Sequence, residues 1–190
     1  GWQGTRRAER IGTVLAANVL KILNGMQGVA PGAIASASRM VSLPLAQSPA
    51  EEVAWARQIA QGFGKPGQGA FLDLVKASRV LDVDRWGGQP LEAEVQVIAL
   101  GGEVAWVGVP GELFVELGLA IKRASPFAST IVVELANGSM NYFPNRKAFA
   151  EGNYEPVSTR FAPGAGESLV DAATALVVEL HGKSGRNRTQ

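Results

Sequence analysis

The sequence predicts an α/β fold, a layered sandwich with a mixed β-sheet flanked by helices, and three observations carry that expectation. Apolar residues recur at helical spacing over Thr5–Asn24 and again over Ser168–His181. Between them, Leu91–Leu100 sets Leu91, Ala93, Val95, Val97 and Ala99 against Glu92, Glu94 and Gln96, the two-residue period of a strand with one wet face. Helical and strand-like stretches alternate, but Gly101-Gly102 places a hairpin turn inside the series, so the sheet should be mixed rather than all parallel.

Taken in order, the first helix carries Ile11, Val14, Leu15, Val19, Ile22 and Leu23, with Arg6, Arg7, Glu9, Arg10 and Lys21 between them, and ends near Asn24-Gly25. Ala33–Leu45 alternates small, polar and apolar residues and reads as a strand running to Pro44. Ser48-Pro49-Ala50-Glu51 is a helix start, with Ser48 as N-cap and Pro49 at the first helical position, for a helix reaching about Gln61. Gly62–Gly69 reads as a linker loop, because it lacks the Gly-Lys-Ser/Thr ending of a phosphate cradle. Helical spacing returns over Ala70–Val83 and is broken by Gly87-Gly88-Gln89-Pro90.

Glu103–Val109 is more continuously apolar than its neighbour and should lie deeper in the sheet. A helix over Leu113–Ala124, a buried strand over Thr130–Ala136 and the closing helix Ser168–His181 complete the pattern. The organisation expected is one domain over 1–182, itself incomplete, followed by a disordered polar tail over 183–190.

Composition narrows the function. A chain of 190 residues is long enough for one well-buried core. Eighteen basic and 17 acidic residues nearly cancel, so no basic face is expected and nucleic acid is not an expected partner. The absence of cysteine removes disulfides, zinc ribbons and thiol nucleophiles. The longest apolar runs, Val104–Val109 and Ile131–Ala136, fall far short of a membrane span. The start Gly1-Trp2-Gln3-Gly4 has neither an initiator Met nor a signal-peptide pattern, and reads as an interior piece of something longer. A single histidine, His181, limits metal chemistry.

Three residues stand where chemistry is plausible. Glu112 follows a strand and the turn Pro110-Gly111 and opens a helix. Ligands in α/β sheets gather outside the carboxyl ends of strands, and a glutamate there can offer a metal an oxygen at about 2.0–2.2 Å. Taken singly, a plainer reading is available: an acidic first turn complements the helix dipole, worth about 0.3–1 kcal/mol. Tyr142 comes 30 residues later, past the turn signal Asn137-Gly138, and Tyr154 follows after another 12. Each tyrosine alone reads as a packing residue with a wet hydroxyl.

Together they say more. Val109-Pro110-Gly111-Glu112, the Asn137–Tyr142 segment and the pair Tyr154-Glu155 resemble motifs of the neutral/alkaline (non-lysosomal) ceramidase family of zinc amidases. Pro144–Phe149, Glu151-Gly152 and Gly164–Val170 look like further stretches of that family, so the likeness covers Leu91–Leu180 and extends less specifically to Ala8–Leu23. Ser139 departs from it, standing where many relatives carry an aromatic.

The resemblance implies that Glu112 and Tyr142 are two of four zinc ligands and that Tyr154 is catalytic, hydrogen-bonding the substrate carbonyl as it becomes an oxyanion. It implies hydrolysis of a lipid-like N-acyl amide such as ceramide to a fatty acid and a sphingoid base, in a protein that is secreted or periplasmic. The family's two histidine ligands and its serine lie N-terminal to the region present, so zinc is expected only with a missing N-terminal half and the chain alone should be inactive. His181, near the last carbonyls of its helix, reads as a dipole partner rather than a replacement ligand.

The alternative is a non-catalytic α/β binding or assembly module that kept the fold and lost the metal. If another half covers part of the sheet, the chain alone should expose an apolar face or strand edge and self-associate. Two smaller signals remain: Asn137-Gly138-Ser139 and Asn187-Arg188-Thr189 match a glycosylation acceptor pattern, and Gly164-Ala165-Gly166 reads as a flexible helix entry.

Overall fold

The computed structural model describes residues 2–30, 32–64 and 70–186. The chain divides into two compact units, Gly1–Ala30 and Pro31–Gln190. The first holds one amphipathic helix, α1 (Trp2–Leu23), whose Ile11, Val14, Leu15, Val19, Ile22 and Leu23 are all exposed. The second unit carries all the strands and the remaining helices of the described residues.

Its centre is a four-stranded sheet. The ten-residue strands β1 (Ile34–Leu43) and β2 (Leu91–Leu100) pair antiparallel along their whole length, from Ile34 with Leu100 to Leu43 with Leu91. β3 (Val104–Gly108) returns antiparallel to β2, and β5 (Ser129–Val133) lies parallel to β3. The order β1-β2-β3-β5 and the two senses of pairing make the sheet mixed, as expected. The alternation read in β2 is real: Ala93, Val95, Val97 and Ala99 are fully buried, while Glu92 and Ile98 face outward.

Helices supply the second layer. α7 (Ala165–Arg186) lies against β1, β2 and β3, and α4 (Val115–Ala124) against β5 and α7. Leu169, Ala173, Leu176, Val177 and Leu180 of α7 join Leu117 and Ile121 of α4 in one core with the inward side chains of the sheet. Leu176 alone, fully removed from water, contributes about 1.5–3 kcal/mol by transfer. Helices α2 (Ala50–Ala60) and α3 (Phe71–Arg85) pack on each other through a smaller cluster of Val53, Ala56, Ala77 and Val80. Among the described residues no helix is long and apolar enough to cross a membrane.

Several sequence expectations need correction. α2 begins at Ala50 with Pro49 as its cap, not Ser48; Pro49 is extended (ψ 157°), and its carbonyl accepts from the N–H groups of Glu52 and Val53. Glu112 does not open a helix. It belongs to a two-residue strand, β4 (Glu112–Leu113), and α4 starts only after Phe114, whose own carbonyl already accepts from Leu117 and Gly118. β5 is an edge strand rather than a buried one, with Ile131 and Val133 exposed, because β3 pairs with it and no other strand among the described residues does.

At the end of the chain, α7 runs past His181 to Arg186, so His181 is not in the last turn; its ring meets Phe127 edge-on at 5.0 Å. Residues 187–190 of the expected tail and 65–69 of the expected linker lie outside the described residues. The entry to α7 is tightly packed, since a Cβ on Gly166 would lie 2.6 Å from the Leu117 methyl. Three short elements carried no sequence signal: β6 (Tyr142–Phe143), α5 (Arg146–Glu151) and α6 (Tyr154–Ser158).

Candidate functional site

The turn after β3 is shaped for close approach. The Val109 N–H donates to Val133 O at 3.0 Å, and the Val109 and Pro110 carbonyls accept from Ala136 and Met140. Gly111 then passes so near the next strand that a Cβ would lie 2.4 Å from the Asn141 carbonyl oxygen and 2.5 Å from the Phe143 ring. No larger residue fits there without displacing one of them. This contact lets β4 run parallel to β6, with Glu112 opposite Tyr142 and Leu113 opposite Phe143. The Glu112 N–H donates to Asn141 O at 3.0 Å.

The β6 side is clamped by neighbours in sequence and in space. Asn141 has a positive φ of 78°, which asparagine tolerates better than most residues. Its side-chain oxygen accepts from the Tyr142 N–H at 2.7 Å, and its amide donates to Ser158 O at 3.2 Å. Thr159 Oγ1 donates to the Tyr142 carbonyl at 2.7 Å, and Phe143 stacks on Phe161 with ring centroids 4.8 Å apart. Tyr142 is therefore held at both backbone groups and through its neighbour's ring.

Glu112 and Tyr142, half-buried, meet side chain to side chain. The negative charge of Glu112 holds the Tyr142 phenol above its ordinary range, with desolvation and hydrogen bonding to that carboxylate adding to it. Glu134, at the end of β5, is also raised, first by burial and then by Glu112; the Leu113 N–H, donating to it, opposes the shift. The third predicted residue joins them: the Tyr154 ring stands edge-on to Tyr142 at 5.9 Å and stacks on Phe71 at 5.8 Å. Asn153, also at positive φ (86°), sets Tyr154 at the first position of α6.

Thus Glu112, Tyr142 and Tyr154, dispersed in sequence, lie together in space, and the helix-dipole reading of Glu112 fails because the acid in the first turn of α4 is Glu116. The overall fold is similar to part of neutral ceramidase. The crystal structure of neutral ceramidase from Pseudomonas aeruginosa matches with a TM-score of 0.54 and 19% identity, covering 80% of this chain and 29% of that one. A ceramidase complexed with C2 matches with a TM-score of 0.50 and 16% identity, covering 80% of this chain and 31% of that one. The chain therefore spans less than a third of the length of the structures it matches, and at these identities the likeness is one of fold. No protein-family model and no curated protein matches the sequence.

Glu112 and Tyr142 place a carboxylate and a phenol opposite each other across the β4–β6 pair. Among the described residues no group of three or more His, Cys, Asp or Glu side chains that could hold a metal ion is found. Sequence reasoning missed Asn141, Thr159 and Glu134. The density of asparagine was a usable signal: Asn137, Asn141 and Asn153 all sit at positive φ, where the chain turns to bring β6 and α6 to β4. The Asn137 amide, part of a glycosylation pattern, donates to Gln96 at 3.2 Å.

Proposed function

We propose that this chain is the C-terminal portion of the catalytic domain of a zinc-dependent amide hydrolase similar to neutral ceramidase, acting on a lipid-like N-acyl amide such as ceramide. One observation carries the reading. A carboxylate and a phenol 30 residues apart are register partners on two strands of two residues each, and the carboxylate's charge acts directly on the phenol. A ribbon that short adds little stability by itself, so its value lies in what it positions.

In this reading Glu112 and Tyr142 hold the ion, Tyr142 as the phenolate, and an N-terminal half supplies two histidines and the nucleophilic serine. Bound zinc would polarise the amide carbonyl, activate the attacking oxygen and stabilise developing negative charge. Tyr154 donates from its hydroxyl to the carbonyl oxygen as that oxygen becomes anionic, a contact that typically contributes about 3–4 kcal/mol. Phe71, stacked on the Tyr154 ring, limits the directions the hydroxyl can take. Without the other half the chain is inactive, and the complete protein is exported.

A second reading, a non-catalytic binding or assembly module, draws on the lack of any cluster of three His, Cys, Asp or Glu side chains among the described residues. The native gene product separates the two. A product much heavier than 19.9 kDa, with one zinc per chain that Glu112→Gln and Tyr142→Phe release, and with fluorogenic ceramide cleaved, supports the hydrolase. A zinc-free product beginning at or near Gly1 leaves the module.

A further inference from the structure

α3 and α6 line a half-open cavity of about 570 Å³ that Tyr154 also borders, and its arginines have no part in the hydrolytic reading. That volume falls within the range of small-molecule sites, about 300–1,000 Å³. One side is built from α3, with Arg79, Asp82 and Arg85 set among apolar Leu74, Val75 and Leu81. The other carries Asn141, Tyr154, Ser158 and Arg160. Three arginines thus face one aspartate.

The charges are unevenly satisfied. Arg160 Nε is paired with Asp82. Among the described residues no carboxylate lies within ion-pair distance of Arg79 or Arg85. Arg79 is half-buried, and its Nε is shielded from water without a hydrogen-bond partner. Burial disfavours its charged form; Glu52, nearby but already bound to Lys76 at 2.7 Å, offsets only part of that cost. A buried guanidinium short of acceptors is expensive unless a ligand supplies them. Its planar fork of donors matches a carboxylate, which takes two parallel N–H bonds. The apolar side chains interleaved along α3 suit a hydrocarbon tail rather than a bare ion.

We infer that this cavity is a binding site for an amphiphilic organic anion, its carboxylate held by Arg79 and Arg85 and its alkyl chain laid along Leu74, Val75 and Leu81. The inference needs only the cavity and not hydrolysis. Should the amide-hydrolase reading hold as well, a fatty-acid product is an anion of this kind, formed beside the Tyr154 that lines both places.

Calorimetric titration of the 190-residue chain with decanoate tests it, with decyltrimethylammonium and inorganic phosphate as comparison ligands. Decanoate should bind about ten-fold or more tightly than either, and Arg79→Gln and Arg85→Gln should each weaken it about ten-fold, the loss of one charge-assisted pair. Arg57→Gln, whose partner Asp84 lies outside the cavity lining, should leave the affinity unchanged. Circular dichroism confirms that each variant is folded; if Arg79→Gln is not, Arg85→Gln is read alone. Equal affinity for the cationic surfactant, or arginine variants that bind decanoate like the parent, overturns the inference. Phosphate binding as tightly as decanoate also overturns it, because the apolar wall would then be idle.

Discussion

The two faces of the central sheet, one residue apart along each strand, are finished to different degrees. The row Ala37, Val97, Val107 and Val132 points into the core under α7 and α4, and its two middle residues are fully buried. The adjacent row, Ser36, Ile98, Trp106 and Ile131, points the other way, with Ile98 and Ile131 40% and 44% exposed. Both rows are largely apolar, yet among the described residues of this unit only the first lies under α7 and α4. A solvated sheet face is normally polar. On a face that also carries Glu92, Glu94 and Gln96, this row is where the proposal that another part of the same domain completes the structure would seat that part. The pattern within a strand tells which residues can be buried; what buries them has to come from elsewhere.

Substitutions on the two faces should diverge accordingly. Leu176→Ala, beneath the closed face, should cost about 2–5 kcal/mol in urea-induced unfolding, through lost transfer energy and a cavity. A smaller loss would mean that α7 packs more loosely than its burial implies. Gly111→Ala tests tight packing where no large apolar residue is involved. A Cβ meeting Asn141 O and the Phe143 ring should cost about 1–3 kcal/mol, read in the same experiment, and should separate Glu112 from Tyr142. On the open face, Ile98→Lys with Ile131→Lys should change stability by no more than about 0.5 kcal/mol per site. The unsubstituted chain should self-associate in sedimentation and the double variant should not. An unsubstituted chain that is strictly monomeric would break the comparison.

The smallest effect concerns charge rather than packing. Tyr142 and Tyr154 are the only tyrosines, so ultraviolet titration follows few groups. Because Glu112 raises the Tyr142 phenol, its folded state favours the protonated form. The contribution to stability is whole below the ordinary tyrosine value of about 10 and declines as the pH rises through that value toward the raised one. Glu112→Gln should move the Tyr142 transition downward. An unmoved transition would show that the hydroxyl and carboxylate do not meet in solution.

What the sequence disclosed follows from how much chain each feature occupies. β2 was legible because ten residues repeat one alternation, and α7 because its apolar stripe persists over about four turns, from Ala165 to Leu180. β4 and β6 have two residues each, too few to show any period, and Glu112 was read into the helix that starts three residues later. β5 looked buried because a short apolar run does not reveal whether a strand is central or at an edge; pairing decides that. The site residues were legible through resemblance, not spacing. Their convergence depends on the left-handed turns at Asn141 and Asn153 and on the bare backbone at Gly111, whose effect lies entirely in three dimensions.

The brevity of the β4–β6 ribbon has a consequence for its motions. Its cross-strand bonds run from the Glu112 N–H to Asn141 O and from the Phe114 N–H to Phe143 O, whereas β1 and β2 are joined through ten register pairs. Such a pair opens locally at a small fraction of the global unfolding energy. The amide protons of Glu112 and Phe114 should therefore exchange with solvent well before those of Val95 and Val97. An ion gripped by one side chain from each strand would act as a clasp on this ribbon. The first sign of metal loading would then be slower exchange at those two amides, with the rest of the sheet unchanged.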